Sequence, residues 1–320
     1  MQRLLLALGL IVLVLPATAQ AARVRSAIFF YPWYSNPLHD EGYAHWQQGG
    51  HAPPFDLGSR FFPARGAYSS SDPLVLRAQM RDIAAAGVDE VVSSWWGKGS
   101  PEDRRLAGVI RAARAAGVEV AAHLEPYTGR TLSGVASDLT YLRGLGVHDV
   151  YVYRSADFPA EDWKTITRQP MGLRLFAQTN RPGFAAKAGF AGFYPYDVLL
   201  YGGAKFGRFC AQARALRLLC LPSVGPGYAA RRATGDKRVK PRQRGATYDS
   251  MWKAALAARA DLVTITSYNE WSEGTQIEPA RRRSGYESYE GAYGLHGRAA
   301  QNAYLTRTRL WTRRFGRGSG

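Results

Sequence analysis

Eight times along this chain a short β-branched or aromatic run gives way to a stretch whose apolar residues recur at helical spacing, and that alternation constrains the fold more than anything else. The runs fall at 24–31, 88–94, 118–123, 147–153, 173–178, 189–193, 216–221 and 262–267. Strands that alternate with helices pair in parallel, because a parallel neighbour is reached only through a crossover. Eight such units, with no linker between them, predict an α/β fold: a (β/α)8 TIM barrel in a single domain. Helical spacing is explicit at 72–86, through Leu76, Met80 and Ile83, and at 101–116, through Leu106, Val109 and Ile110. Several helices end in a Gly-Val step, at Gly87, Gly117 and Gly146. Glycine takes the left-handed backbone of a helix C-cap, and the valine after it opens the next strand. These are the short turns of a barrel's lower face. Connections on the other face are long, notably 35–71 and 224–245, and long connections in a compact domain usually carry function.

The chain ends bound the compartment. Arg3, an apolar core at 4–15 and small residues Ala17, Ala19 and Ala21 form the pattern of a secretory signal peptide at 1–21. Its core is shorter than the roughly 20 residues of a spanning helix. The expectation is therefore a secreted or extracytoplasmic monomer with no membrane span after cleavage, an uncleaved anchor being the alternative. The barrel is assigned to 22–315 and a disordered tail to 316–320. Cys210 sits in a helical pattern and Cys220 in a strand, which leaves a disulfide and two buried thiols both open. The formal charge of +17, from 42 basic and 25 acidic residues, raises nucleic-acid binding as a class. The basic residues are scattered, however, and the basic stretch 231–244 lacks the interleaved aromatics that stack bases. No nucleic-acid partner is expected, although such a surface attracts anionic polymers such as envelope glycans.

Chemistry concentrates at the strand ends. After the eighth run the chain reads Thr-Ser-Tyr-Asn-Glu-Trp-Ser-Glu-Gly-Thr-Gln-Ile-Glu at 266–278, which sets Glu270 and Glu273 three residues apart. A carboxyl pair flanked by aromatics suits glycoside hydrolysis, in which one carboxyl protonates a leaving oxygen and rings stack on sugars. The alternative is a helix N-terminus whose acids favour its dipole. Aromatics recur at other strand ends: Tyr31 and Tyr34, Trp95 and Trp96, Tyr127, Tyr194 and Tyr196. Trp46, Tyr228, Asn269 and Trp271 are further candidates for contact with sugar. His123 and Glu125 alternate on one strand and share a direction, so Glu125 is a third candidate carboxylate. The His-x-Glu here lacks the Pro-Cys-x-x-Cys partner of zinc deaminases, and His39, His45 and His51 show no ligand pattern. No metal and no cofactor are expected.

Seven segments together resemble glycoside hydrolase family 99, the endo-α-1,2-mannosidases. They are Tyr-Pro-Trp-Tyr-Ser-Asn-Pro at 31–37, Gly-Tyr-Ala-His-Trp at 42–46, Tyr-Ser-Ser-Ser-Asp-Pro at 68–73, Ser-Trp-Trp at 94–96, His-Leu-Glu-Pro-Tyr at 123–127, Pro-Ser-Val-Gly-Pro-Gly-Tyr at 222–228 and the run 266–278. The resemblance implies a metal-free barrel that cleaves inside α-mannose-containing glycans with retention. It implies that Glu270 deprotonates the sugar 2-hydroxyl, which then attacks the anomeric carbon to give a 1,2-anhydro sugar. It implies too that Glu273 is the acid/base. Glu125, Trp95 or Trp96, Tyr194 or Tyr196, and Tyr31 or Tyr34 map onto substrate-binding positions. The family places an arginine soon after the Gly-Pro-Gly-Tyr turn, where this chain reads Ala-Ala-Arg-Arg-Ala-Thr. Two alternatives stand beside this reading: a barrel of the same design acting on another α-linked envelope polysaccharide, and a non-catalytic glycan-binding barrel.

Overall fold

The structure, a computed structural model, describes residues 25–169 and 171–317. The signal peptide expected at 1–21 and residues 318–320 of the tail lie outside the described residues. Seven barrel strands are continuous: Ser26–Phe30, Glu90–Trp95, Glu119–Leu124, Asp149–Val152, Arg174–Gln178, Gly192–Tyr194 and Val263–Ile265. One more, seventh in chain order, comes in two pieces, Leu219–Cys220 and Ser223–Val224. All pair in parallel, and the first strand lies between the second and the eighth. The split strand closes the ring. Its first piece pairs with Gly192–Tyr194 and its second with Val263–Ile265. Between them Leu221 N donates to Phe193 O at 3.1 Å, while Pro222, which has no N–H to give, accepts from Thr264 N at 3.1 Å. Each of the eight expected runs meets one strand, and the fold is the (β/α)8 barrel.

Rings fill the barrel. Phe29, His123, Tyr151, Phe176 and Tyr194, from five strands, pack with paired centroids 4.7 to 6.0 Å apart. Below them Tyr151 Oη donates to buried Glu90 at 3.0 Å, and Arg174 Nε to buried Asp149 at 2.7 Å.

The helix boundaries follow the local signals. Asp72 accepts from Leu74 N to cap Pro73–Ala85, and Ser100 accepts from Asp103 N to cap Pro101–Ala115, contacts worth about 1 kcal/mol each. Gly87 takes φ +68°, and a Cβ there would lie 2.8 Å from Thr312 Oγ1 of the last helix, Ala303–Arg317. That helix reaches Arg317, so residues 316 and 317, drawn in the tail, are helical. Cys210, on helix Phe206–Ala215, forms a disulfide with Cys220 of the seventh strand, with Cα atoms 5.1 Å apart. Closing so short a loop stabilises by about 2–3 kcal/mol.

Over the top face lie three long excursions, 31–72, 225–245 and 266–302. Two are stapled together where Phe62–Pro63 pairs antiparallel with Ala280–Arg281. The middle one folds on itself, Tyr228–Ala229 against Val239–Lys240.

Candidate active site

Glu270 and Glu273 stand on an irregular turn beyond the eighth strand, and no helix begins there. The dipole alternative therefore falls away. The turn is tied at its base: Ser267 N donates to Thr275 O at 3.0 Å, Ser267 Oγ and Thr275 Oγ1 are 2.9 Å apart, and Ile277 N donates to Ser267 O at 2.9 Å. Ser267 Oγ also accepts from Glu270 N at 2.8 Å, which aims the glutamate. Gly274 takes φ +65°, and its Cβ would lie 3.1 Å from Ala229 O, so the turn needs glycine there on two counts.

Glu270 is 6% exposed and accepts from Tyr196 Oη at 2.9 Å. Tyr31 Oη hydrogen-bonds Tyr196 Oη in turn, giving a chain of two hydroxyls to one carboxyl. Burial pushes the Glu270 carboxyl well above the ordinary range; Glu273 adds to this, the Tyr196 and Tyr31 hydroxyls oppose it, and Glu125 adds again. Glu273 is half-buried and is pushed up to about 7 by burial first, then by Asp197, Glu125 and Asp236, with Arg238 opposing. Among the described residues no side chain donates a hydrogen bond to the Glu273 carboxyl. Two such acids titrate as a pair, and near neutrality the pair keeps a proton.

Tyr196 holds its position at a cost. Its φ is +55°, in the left-handed region, and its backbone is fixed by Tyr196 N donating to Ser223 Oγ at 3.1 Å and Thr266 Oγ1 donating to Tyr196 O at 3.3 Å. Strain of this kind costs on the order of 1–3 kcal/mol and clusters at functional sites. Glu125 accepts from Ser94 Oγ at 2.8 Å; His123 Nδ1 lies 2.9 Å from the same carboxyl, out of line for a hydrogen bond, while His123 Nε2 meets Tyr194 Oη at 2.9 Å.

The remaining expected residues divide by exposure. Trp96 is 36% exposed at the end of the second strand. Tyr127, whose hydroxyl bonds Asp138, and Tyr228, whose hydroxyl donates to Asp236 at 2.9 Å, are half-buried. Tyr34, Trp46, Trp95, Tyr194, Asn269 and Trp271 are enclosed and offer no ring face or amide to solvent. They build the wall instead. Trp95 turns into the helix layer, where Nε1 donates to Asp103 at 2.8 Å. Asn269 brackets Tyr31, accepting from its N at 2.8 Å and donating to its O at 3.0 Å. Tyr34 stacks on Trp46 at 4.1 Å and donates to Asn269 O at 2.8 Å.

Other residues reach the site without having been singled out. Tyr153 packs its ring 5.2 Å from Tyr196 and 5.3 Å from His123, and its hydroxyl is raised by burial, then by Glu125, Glu273 and Glu270. It ends the fourth strand run two residues after inward-facing Tyr151, a signal the alternation offered. Asp197, Asp236 and Arg238 supply charge beside Glu273. Of the basic loop, Arg232 is spent on Leu57 O and Asp56, and Arg238 on Asp236. Among the described residues no group of three or more His, Cys, Asp or Glu is arranged to hold a metal ion.

A buried carboxyl and a half-buried one, both raised, at the strand ends of a barrel walled with tyrosine are the equipment for breaking a glycosidic bond, and the protein is a glycosidase. Its kinship is specific: the model of glycosyl hydrolase family 99 matches residues 23–160 and 169–317, and the chain belongs to that family. It is 30% identical to a mouse (Mus musculus) glycoprotein endo-alpha-1,2-mannosidase-like protein, covering 94% of this chain and 79% of the relative. A frog (Xenopus laevis) glycoprotein endo-alpha-1,2-mannosidase is 29% identical, over 90% and 76%. The structure of a family 99 endo-alpha-mannosidase from Bacteroides thetaiotaomicron superimposes with a TM-score of 0.83 at 26% identity, covering 93% of this chain and 99% of that one.

Proposed function

We propose that this protein is a retaining endo-α-1,2-mannosidase that cleaves inside mannose-containing glycans by way of the substrate's own 2-hydroxyl. The observation that carries the reading is the unequal treatment of the two carboxyls. The Tyr31–Tyr196 hydroxyl chain stabilises charge on Glu270, whereas Glu273 receives no donor and sits at about 7. Burial pushes Glu270 well up against those two hydroxyls, and the pair's proton is assigned to Glu273 because that carboxyl is the one left without a donor. In the first step Glu270 takes the 2-hydroxyl proton, the 2-oxygen bonds the anomeric carbon, and the leaving oxygen departs with the Glu273 proton. In the second, Glu273 takes a proton from water as that water's oxygen bonds the anomeric carbon, the bond from that carbon to the 2-oxygen breaks, and the 2-oxygen recovers its proton from Glu270. Two inversions give retention.

The mannose specificity is supported by the mouse, frog and Bacteroides relatives named above. The reading also takes the protein to be exported, which the Cys210–Cys220 disulfide supports. No helix among the described residues is long and apolar enough to cross a membrane. Product analysis on α-1,2-linked manno-oligosaccharides and α-mannan tests the assignment. Release of a disaccharide with α configuration at the new reducing end is expected; release of monosaccharide alone, or no turnover, contradicts it.

A further inference from the structure

We propose that Arg242 is a positioning residue for Glu273, gripping from behind the turn on which that carboxyl rides. This rests on the reading of Glu273 as the acid. Arg242 Nη2 donates to Gly274 O at 2.9 Å and to Gln276 O at 2.7 Å, the carbonyls one and three residues beyond Glu273. Its guanidinium carbon lies 4.6, 4.9 and 4.6 Å from the ring centres of Phe61, Tyr289 and Tyr304. Nε and Nη1 are buried with no hydrogen-bond partner, and among the described residues no carboxylate pairs with this cation. Neighbouring Arg232 and Arg238 both find an aspartate.

A guanidinium enclosed by three rings with two of its nitrogens unmet is a poor device for stability, since a buried unmet donor group costs about 1–3 kcal/mol. It is a good device for direction: a planar cation clamped by π faces cannot swing, so the carbonyls it holds cannot either. Tyr289 Oη reinforces the grip, lying 3.2 Å from Gln276 O and 3.0 Å from Glu278 O. Ala229 N donates to Glu273 O at 2.8 Å. The turn is thus pinned at Glu273, Gly274 and Gln276. Beside it is an open pocket of about 230 Å³, lined in part by Tyr228, Ala229, Arg242, Gly274 and Tyr289.

The test compares kcat and KM on an α-1,2-mannoside with a sugar leaving group and on one with an activated aryl leaving group, which needs no acid. For Arg242→Met, kcat on the first is expected to fall about 30-fold with KM moved less than about twofold, against a fall of about threefold on the second. Tyr289→Phe, which keeps the ring and removes the hydroxyl, is expected to show the same selectivity at smaller size. Equal losses on the two substrates, or no loss, overturn the proposal. Should Arg242→Met fail to fold, Arg242→Lys and Tyr289→Phe decide it by the same criterion. Glu273→Gln is the control: if it shows no dependence on the leaving group, the acid reading fails, and if it shows that dependence while the Arg242 and Tyr289 variants do not, this inference fails alone.

Discussion

Two glutamates after the eighth strand, eight residues apart, are buried to similar depth and meet opposite fates. Glu278 is fully enclosed and accepts from Tyr68 Oη at 2.7 Å, Gln79 Nε2 at 2.9 Å, Trp271 Nε1 at 2.9 Å and Arg65 Nη1 at 3.1 Å. Burial pushes its carboxyl up, and Arg65 followed by the other donors pulls it back. Glu270 has one direct donor, Tyr196, and faces Glu273 and Glu125. One carboxylate ties the first long loop, the first helix and the turn after the eighth strand into a wall; the other is left short of partners where substrate can supply them. Burial alone does not mark a catalytic carboxyl. The balance of donors against like charges does.

If the comparison holds, the two glutamates fail differently when changed. Glu273→Gln should lower kcat on natural glycans by about a thousandfold or more while leaving the melting temperature unchanged or raised, because it removes a carboxyl that repels its neighbours. Thermal melts run beside the kinetics separate the effects. Glu278→Ala should do the reverse, destabilising the fold by about 3–5 kcal/mol through an uncompensated Arg65, with the surviving folded fraction keeping its turnover number. Denaturant titration measures it. Tyr196→Phe lies between them: losing a hydrogen bond to a charged group is worth about 1.5–3 kcal/mol, or roughly 10- to 100-fold in kcat/KM. Since that hydroxyl lowers the Glu270 carboxyl, its loss should also move the acidic limb of the pH–rate profile upward.

The smallest effect is on stability against pH. Glu273 lies at about 7 in the fold, above the roughly 4.3 of an unfolded glutamate, so the folded state holds its proton more tightly. That contribution is fully present below the unfolded value and is lost as pH rises through about 7. Wild-type melting temperature should carry this decline between about pH 4 and 7, and Glu273→Gln should flatten it. An identical slope in the variant would show that the carboxyl is not perturbed as described.

The same contrast explains what the sequence disclosed. The alternation of runs met every barrel strand because each is a local pattern, although the run 216–221 missed the ring-closing piece Ser223–Val224, and the strand-end position of Glu270 and Glu273 followed from it. Trp95 and Trp96 show the limit: adjacent residues on a strand face opposite ways, and only packing against Asp103 settles that Trp95 turns outward to the helices. Glu278 was visible as a carboxyl in the same motif, but its partners Arg65 and Tyr68 are more than 200 residues away, beyond any spacing rule. The Cys210–Cys220 bridge was undecided for a different reason, since the two are only ten residues apart and pairing depends on how a helix face meets a strand.

Whether Glu270 acts only on the 2-hydroxyl is decided most directly by intact-mass measurement. The protein would be incubated with a 2-deoxy-2-fluoro-mannoside bearing an activated leaving group, which removes the internal nucleophile but would trap an ordinary glycosyl-enzyme. The account predicts an unmodified mass after prolonged incubation. An added fluorosugar mapped to Glu270 would contradict it and make that residue a nucleophile.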